Sequence, residues 1–254
     1  AGPGGESTGV GHSVAISGSA ELKFRHGIAE VITFNAPISG DGKVNFNYNN
    51  SGSGSGSLTL GGNNSFTGGL TISPSSGTNV LPLKAGSTTA LGSGTVSIGQ
   101  YGQLDLNGFS NVTGLLTSTN SAASVTNNGA SDVTLTLDGT TTQTFGGVIA
   151  DGTSKVSIAK AGIGTQTLSG ALNTFTGSTS VQAGTLSISN DDKLSDSAAV
   201  NLTTGAILNL NHAVAGTDDV GALSVDGVFL TSGVYGALGS GAANETALIT
   251  GTGL

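Results

Sequence analysis

Gln166-Thr167-Leu168-Ser169-Gly170-Ala171-Leu172-Asn173-Thr174-Phe175-Thr176-Gly177-Ser178-Thr179-Ser180-Val181-Gln182-Ala183-Gly184-Thr185-Leu186-Ser187-Ile188 is the stretch on which the fold turns. Its last four residues alternate hydroxyl and aliphatic side chains. Successive side chains of a strand point to opposite faces, so such a run puts Leu and Ile on one side and hydroxyls on the other. The same texture recurs outward in both directions, in Leu58-Thr59-Leu60, Gly94-Thr95-Val96-Ser97-Ile98, Leu104-Asp105-Leu106 and Val133-Thr134-Leu135-Thr136-Leu137. Turns rich in Gly, Asn and Ser separate these runs every eight to twelve residues or so. No segment sustains a 3.6-residue apolar period between capping residues, so helices should be nearly absent.

The chain also repeats itself, at a spacing of about 110 residues. Ile32-Thr33-Phe34-Asn35-Ala36-Pro37-Ile38 returns as Gln143-Thr144-Phe145-Gly146-Gly147-Val148-Ile149, and Lys43-Val44 as Lys155-Val156. Asn64-Ser65-Phe66-Thr67-Gly68 returns as Asn173-Thr174-Phe175-Thr176-Gly177, and Gln103-Leu104-Asp105-Leu106-Asn107 as Ile207-Leu208-Asn209-Leu210-Asn211. This reads as one domain of two tandem copies, about 20–130 and 131–254, with 1–20 as a strand-exchange or capping segment.

Short strands with regular turns also suit an immunoglobulin-like sandwich. Against it stand the lack of Trp or Tyr anchors, a duplication finer than a domain, and Thr and Asn recurring in register as stacked ladders require. The expected fold is therefore all-β, a right-handed parallel β-helix (β-solenoid). Turns of about twenty residues predict some twelve rungs, about 55–60 Å long at about 4.8 Å per rung. Phe34, Phe145, Leu60, Leu168, Leu106 and Leu210 should point inward.

Composition agrees and narrows the function. Aromatics are 4%, with no Trp or Met, so the interior must be layered from Val, Ile, Leu, Ala and Thr. Charged residues are 9%, and 7 bases against 15 acids leave no basic patch for nucleic acid or an anionic membrane. The chain has no Cys, which excludes disulfides and thiolate chemistry, and no apolar run long enough to insert in a membrane as a helix. The opening Ala1-Gly2-Pro3, without an initiator Met, is read as the start of a processed, exported product.

Phe145-Gly146-Gly147-Val148-Ile149-Ala150-Asp151-Gly152, Val156-Ser157-Ile158-Ala159-Lys160-Ala161-Gly162 and the stretch quoted first resemble the autotransporter-associated β-strand repeat of bacterial passenger domains. The ending Gly233-Val234-Tyr235-Gly236 to Ile249-Thr250-Gly251-Thr252-Gly253 resembles the close of such repeat regions. The first copy departs from the pattern at Ser51–Ser57, where a Gly/Ser insertion replaces the family's short Lys-containing turn. The resemblance implies a parallel β-helix outside a bacterial cell and no particular activity, since the repeat is scaffold in proteins of many functions.

Catalytic material is thin. His12, His26 and His212 lie far apart, and none belongs to a nucleophile or zinc-protease motif. Asp191-Asp192 and Asp218-Asp219 read as solvated turns; Asp191, Asp192 and Asp196 are weak candidates for calcium, and no cofactor is implied. Gly52-Ser53-Gly54-Ser55-Gly56 lacks the Lys-Ser/Thr of a phosphate loop and reads as a plain loop. A solenoid exposes backbone at its end rungs, so the expected partner is another copy of the chain, stacked head to tail. Val10, Val14 and Ile16 at one end and Leu248, Ile249 and Leu254 at the other are the candidate self-association residues. The competing expectation is a monomeric adhesin stalk that meets a receptor or surface glycan through aromatics such as Tyr48, Tyr101 and Tyr235, with an enzyme acting on polysaccharide a distant third.

Overall fold

A computed structural model describes residues 12–27, 29–48, 54, 56–74, 78–190, 194–212 and 217–253. These contain no helix, and the strands stack in parallel into a β-solenoid of about eight turns. Each full turn visits three faces. The first face begins with Val14–Ala15 and Ile38–Ser39 and continues, further along, through Asn111–Thr113, Val133–Leu137, Val156–Lys160, Thr179–Val181, Ala199–Leu202 and Ala222–Val225. The second runs from Glu21–His26 through Lys43–Tyr48, Leu70–Pro74, Val96–Ile98 and Leu116–Thr117, then through Thr142–Phe145, Thr165–Leu168, Thr185–Ile188 and Ile207–Leu210. The third stacks Val31–Phe34, Ser57–Leu60, Pro82–Ala85, Gln103–Asp105, Ser124–Thr126 and Val148–Ile149.

The alternation decides which residues face in. Leu60, Phe145, Leu106, Leu168 and Leu210 are buried as expected, while Phe34, in the outermost turn, is half-buried against the core. The pairing is parallel, which disposes of the antiparallel sandwich. The expected twelve rungs are too many. Paired residues of successive turns lie 26 apart at Val44↔Leu70 and 20 apart at Leu168↔Ile188, so most turns are longer than twenty residues. The last part of the chain, moreover, does not coil onward. Val228–Phe229 folds back antiparallel on Ala222–Val225, and Ile249–Gly251 pairs directly with Ile207–Leu210. Eight turns at about 4.8 Å give a rod of about 38 Å.

The two sequence copies occupy different faces. Phe34 and Leu104 lie on the third face, and their counterparts Phe145 and Leu208 lie on the second. Val44 is on the second face and its counterpart Val156 on the first. The duplicated unit therefore spans a whole number of turns less one face. Inward positions stay inward under this shift because all three faces share one core.

Corners are where the backbone leaves the ladders, and side chains close them. Asn64 is buried; its Oδ1 accepts the Ile38 N–H at 2.9 Å and its Nδ2 donates to the Ala90 carbonyl at 2.9 Å, linking three turns. Its counterpart Asn173 accepts the Ile149 N–H at 2.8 Å, but its Nδ2 finds no partner among the described residues. Gln166, fully buried, both accepts from Leu116 N–H at 2.8 Å and donates to the Leu116 carbonyl at 3.0 Å, acting as a missing strand residue where the second face passes from one copy to the next. Glycine is required at Gly40, where φ is +98° and a Cβ would stand 1.9 Å from the Ile16 carbonyl oxygen.

Asn64→Ala orphans one buried donor and one buried acceptor, each worth about 1–3 kcal/mol, whereas Asn173→Ala orphans a single donor. Urea unfolding of the two variants should show the larger loss at Asn64, and equal losses would contradict this account of the corners.

Candidate functional site

Most of the described acidic residues are turn staples. Asp151 Oδ1 accepts the Val156 N–H at 2.8 Å, and the same carboxylate takes the amide and hydroxyl of Thr176 in the following turn. Asp41 takes the Gly18 N–H at 2.7 Å and Asp132 the Lys155 N–H at 2.8 Å. Asp226 takes the amide and hydroxyl of Thr204, and Glu245 the amides of Gly239 and Gly241 at 2.9 Å each. These bonds hold the carboxyls of Asp226 and Glu245 below their ordinary values. Asp105 is buried, and its Oδ1 accepts the Asn107 and Asn128 amides at 2.9 Å each. Among the described residues no three of His, Cys, Asp or Glu stand together. Asp191 and Asp192 lie outside the described residues, and Asp196 is exposed.

Asp218 corrects the reading of Asp218-Asp219 as a solvated turn. Its side chain is 1% exposed, its Oδ2 lies 3.1 Å from Nε2 of His212, itself 1% exposed, and its Oδ1 accepts the Leu194 N–H at 3.1 Å. Only Asp219 is exposed. The Thr252 hydroxyl donates to the His212 carbonyl, and Gly253 packs on the imidazole with no room for a Cβ. The pair thus locks the returning end of the chain onto the last full turn. No sequence motif marked it, because six residues separate the partners and a burial pattern was the missing signal.

Beside this lock, under residues 229–235, the end of the core holds a cavity of about 490 Å³. Its floor is Val200, Leu208, Leu210 and Ile249, the layer that a further turn would cover. Asp218 and Asp219 are the ionisable groups on its wall besides Tyr235, whose hydroxyl donates to the Thr231 carbonyl at 2.9 Å. His12 is exposed in the first turn, at the opposite end of the solenoid from His212, and His26 ends a strand of that same first turn.

The candidate self-association residues divide. Ile16 and Ile249 are buried in the chain's own core, Val14 and Leu248 are half-buried against it, and Val10 and Leu254 lie outside the described residues. The backbone of Ile249–Gly251 nevertheless forms the outermost strand of its sheet. Of the aromatics considered for ligand binding, Tyr48 is fully inside the solenoid.

Tyr48 and Lys160 stand at equivalent places in the two copies and solve one problem in two ways. The Tyr48 hydroxyl donates to the Tyr101 carbonyl at 2.9 Å, holding Tyr101 at a φ of 59°. Lys160, fully buried, donates from Nζ to the Gly162 carbonyl in its own turn and reaches that of Ala183 in the next. Burial pushes the Lys160 ammonium down, while the carboxylate of Asp138 pulls it back.

Burial raises the Tyr48 phenol to about 12 from 10.0, partly offset by a hydrogen bond from the Leu81 backbone. A phenol raised on folding contributes stability that is complete below its unfolded value of 10.0 and is lost as pH climbs through about 12. Melting temperature should therefore fall between about pH 10 and 12, and the fall should be shallower in Tyr48→Phe, which at neutral pH loses about 1 kcal/mol with the hydrogen bond. Parallel curves for the two proteins would remove Tyr48 as the cause.

Two segments of the chain, 53–78 and 158–188, match the family model described as the passenger-associated-transport-repeat. The first spans the corner of Asn64, and the second holds Lys160, Gln166 and Asn173. No curated protein and no solved structure matches the chain significantly. Asn64, Lys160, Gln166 and Asn173 thus fall inside the matched segments while Tyr48 and Asn127 lie outside them, and these segments, in a chain that folds as a β-solenoid, support an autotransporter passenger-type β-helix repeat.

Proposed function

We propose that the protein is a non-enzymatic, extracellular structural subunit whose solenoids join head to tail into a surface filament. The observation that carries this reading is the half-buried core layer of the first turn among the described residues. Leu22, Phe24, Ile32 and Phe34 are half-buried, whereas Val44, Phe46, Leu58 and Leu60, their partners one rung in, are 0% exposed. Phe24 and Phe34 meet edge to face at 5.1 Å, and Val31 beside them is 72% exposed. A core layer left half-covered favours a further layer above it.

The far end supplies a match. There Val228, Phe229, Val234 and Leu238 are exposed, and Ile249–Gly251 is the outermost strand of the second face. Stacking of one copy's first turn on another's last would satisfy the outer backbone groups of both. The use of most described acids as backbone staples supports a structural role, and the passenger-type repeat supports a location outside the cell or on its surface.

Light scattering over a range of protein concentrations should give masses that grow in whole subunits. Ile32→Lys, which charges the open layer while leaving inner rungs untouched, should hold the protein at one subunit with an unchanged circular dichroism spectrum. A wild-type chain that stays monomeric at every concentration would overturn the filament and leave the single stalk as the better account.

A further inference from the structure

The second face of the solenoid carries, on its outward side, an unbroken column of short polar side chains. From Asn45 the pairing places Thr71, Ser97 and Thr117 directly above one another. The Ser118↔Phe145 bridge sets Thr144 above Thr117, and Thr167, Ser187, Asn209 and Thr250 follow in register. A second column, Thr142, Thr165 and Thr185, runs beside the first two residues away along each strand. Between Thr71 and Thr250 none of these positions is charged or aromatic, in a chain of net charge −8.

The array is regular in two directions. Rungs repeat at about 4.8 Å, and alternate residues of one strand stand about 6.6 Å apart. Thr142 and Thr144 are exposed and Thr165, Thr167 and Thr185 half-buried, and none of these five hydroxyls makes a hydrogen bond within the described residues; Ser187 is buried, and its hydroxyl accepts from Asn209 Nδ2 at 3.2 Å. This contrasts with the corners, where polar side chains are tied to backbone. Threonine is β-branched, so its χ1 is restricted and few orientations of its hydroxyl and methyl are open along the column.

We infer that this face binds ice. A hydroxyl exchanging one water for one ligand atom gains little net free energy, so isolated contacts from such residues hold nothing. A gain needs a partner that repeats with the array itself. The two spacings are comparable to those between water oxygens on a prism plane of ice, and over the rungs of Thr142, Thr165 and Thr185 an uncharged surface of hydroxyls and methyls in register complements such a plane. The absence of charge disfavours anionic partners, and the absence of outward aromatic rings removes the stacking surface by which sugars and protein hot spots are usually held. The inference concerns a side of the rod and is independent of assembly through its ends.

The test is ice-affinity partitioning of the full chain during slow freezing, with ice-recrystallisation inhibition as a second readout. The wild-type protein should concentrate in the ice and suppress crystal growth. Thr167→Tyr, which places a bulky ring in the middle of the array, should reduce both effects to those of a non-binding control protein, while Thr136→Tyr on the first face should leave them unchanged. Melting curves establish that each variant is folded; if Thr167→Tyr is not, Thr144→Tyr at its exposed position makes the same comparison. A wild-type chain that stays in the liquid, or a Thr136→Tyr loss equal to that of the second-face variant, overturns the inference. Retention on cellulose or chitin that Thr167→Tyr abolishes, without ice binding, overturns it in favour of a neutral polysaccharide.

Discussion

Everything in this molecule depends on what happens to backbone N–H and C=O groups at the corners of each turn. Along the faces, parallel ladders satisfy them; at the corners the chain changes direction and the ladder stops. An eight-turn rod repeats that problem many times in a core with almost no aromatic bulk to spare. The answer is a set of buried amides, one phenol and one ammonium, each bonded to backbone one or more turns away. Asn64, Asn127, Gln166, Tyr48 and Lys160 belong to this set. The acids perform the same service on the outside, which is why a chain with 15 of them brings no three together among the described residues.

Much of the fold could be read from periodicity because a strand's side-chain period is exact and burial follows it. Leu60, Leu168 and Phe145 could be placed inward from two-residue alternation alone. The number of turns could not, since corner loops such as the one before Ser57 lengthen a turn without leaving any mark on the alternation. Nor could the fold-back of Val228–Phe229 and Ile249–Gly251, whose short runs look like any other strand. The lock of His212 on Asp218 was hidden for a different reason: an Asp pair between Gly216 and Gly221 has the composition of a solvated loop, and only tertiary packing removes one of the two from water.

The resemblance to passenger repeats was carried by residues whose roles are now physical. Asn-x-Phe-Thr-Gly places the corner amide, and the Lys of the second copy reaches over the turn that follows it. In the first copy Tyr48 replaces that Lys, and the Gly/Ser insertion lies just beyond it. The departure from the pattern is therefore one of chemistry at a fixed position: a phenol bonds to backbone where the second copy uses an ammonium.

The offset between the two copies reaches beyond this chain. Because the duplicated unit ends one face short of a whole number of turns, Thr33 and Thr59 stand on the third face while their counterparts Thr144 and Thr167 stand on the second. Lengthening such a rod by unequal crossing-over of whole units would not extend any one stripe of surface residues. Each added unit would begin about a third of a revolution out of phase, so a feature inherited with the unit would wind around the rod as a screw thread, and a straight stripe must be selected rung by rung against that phase.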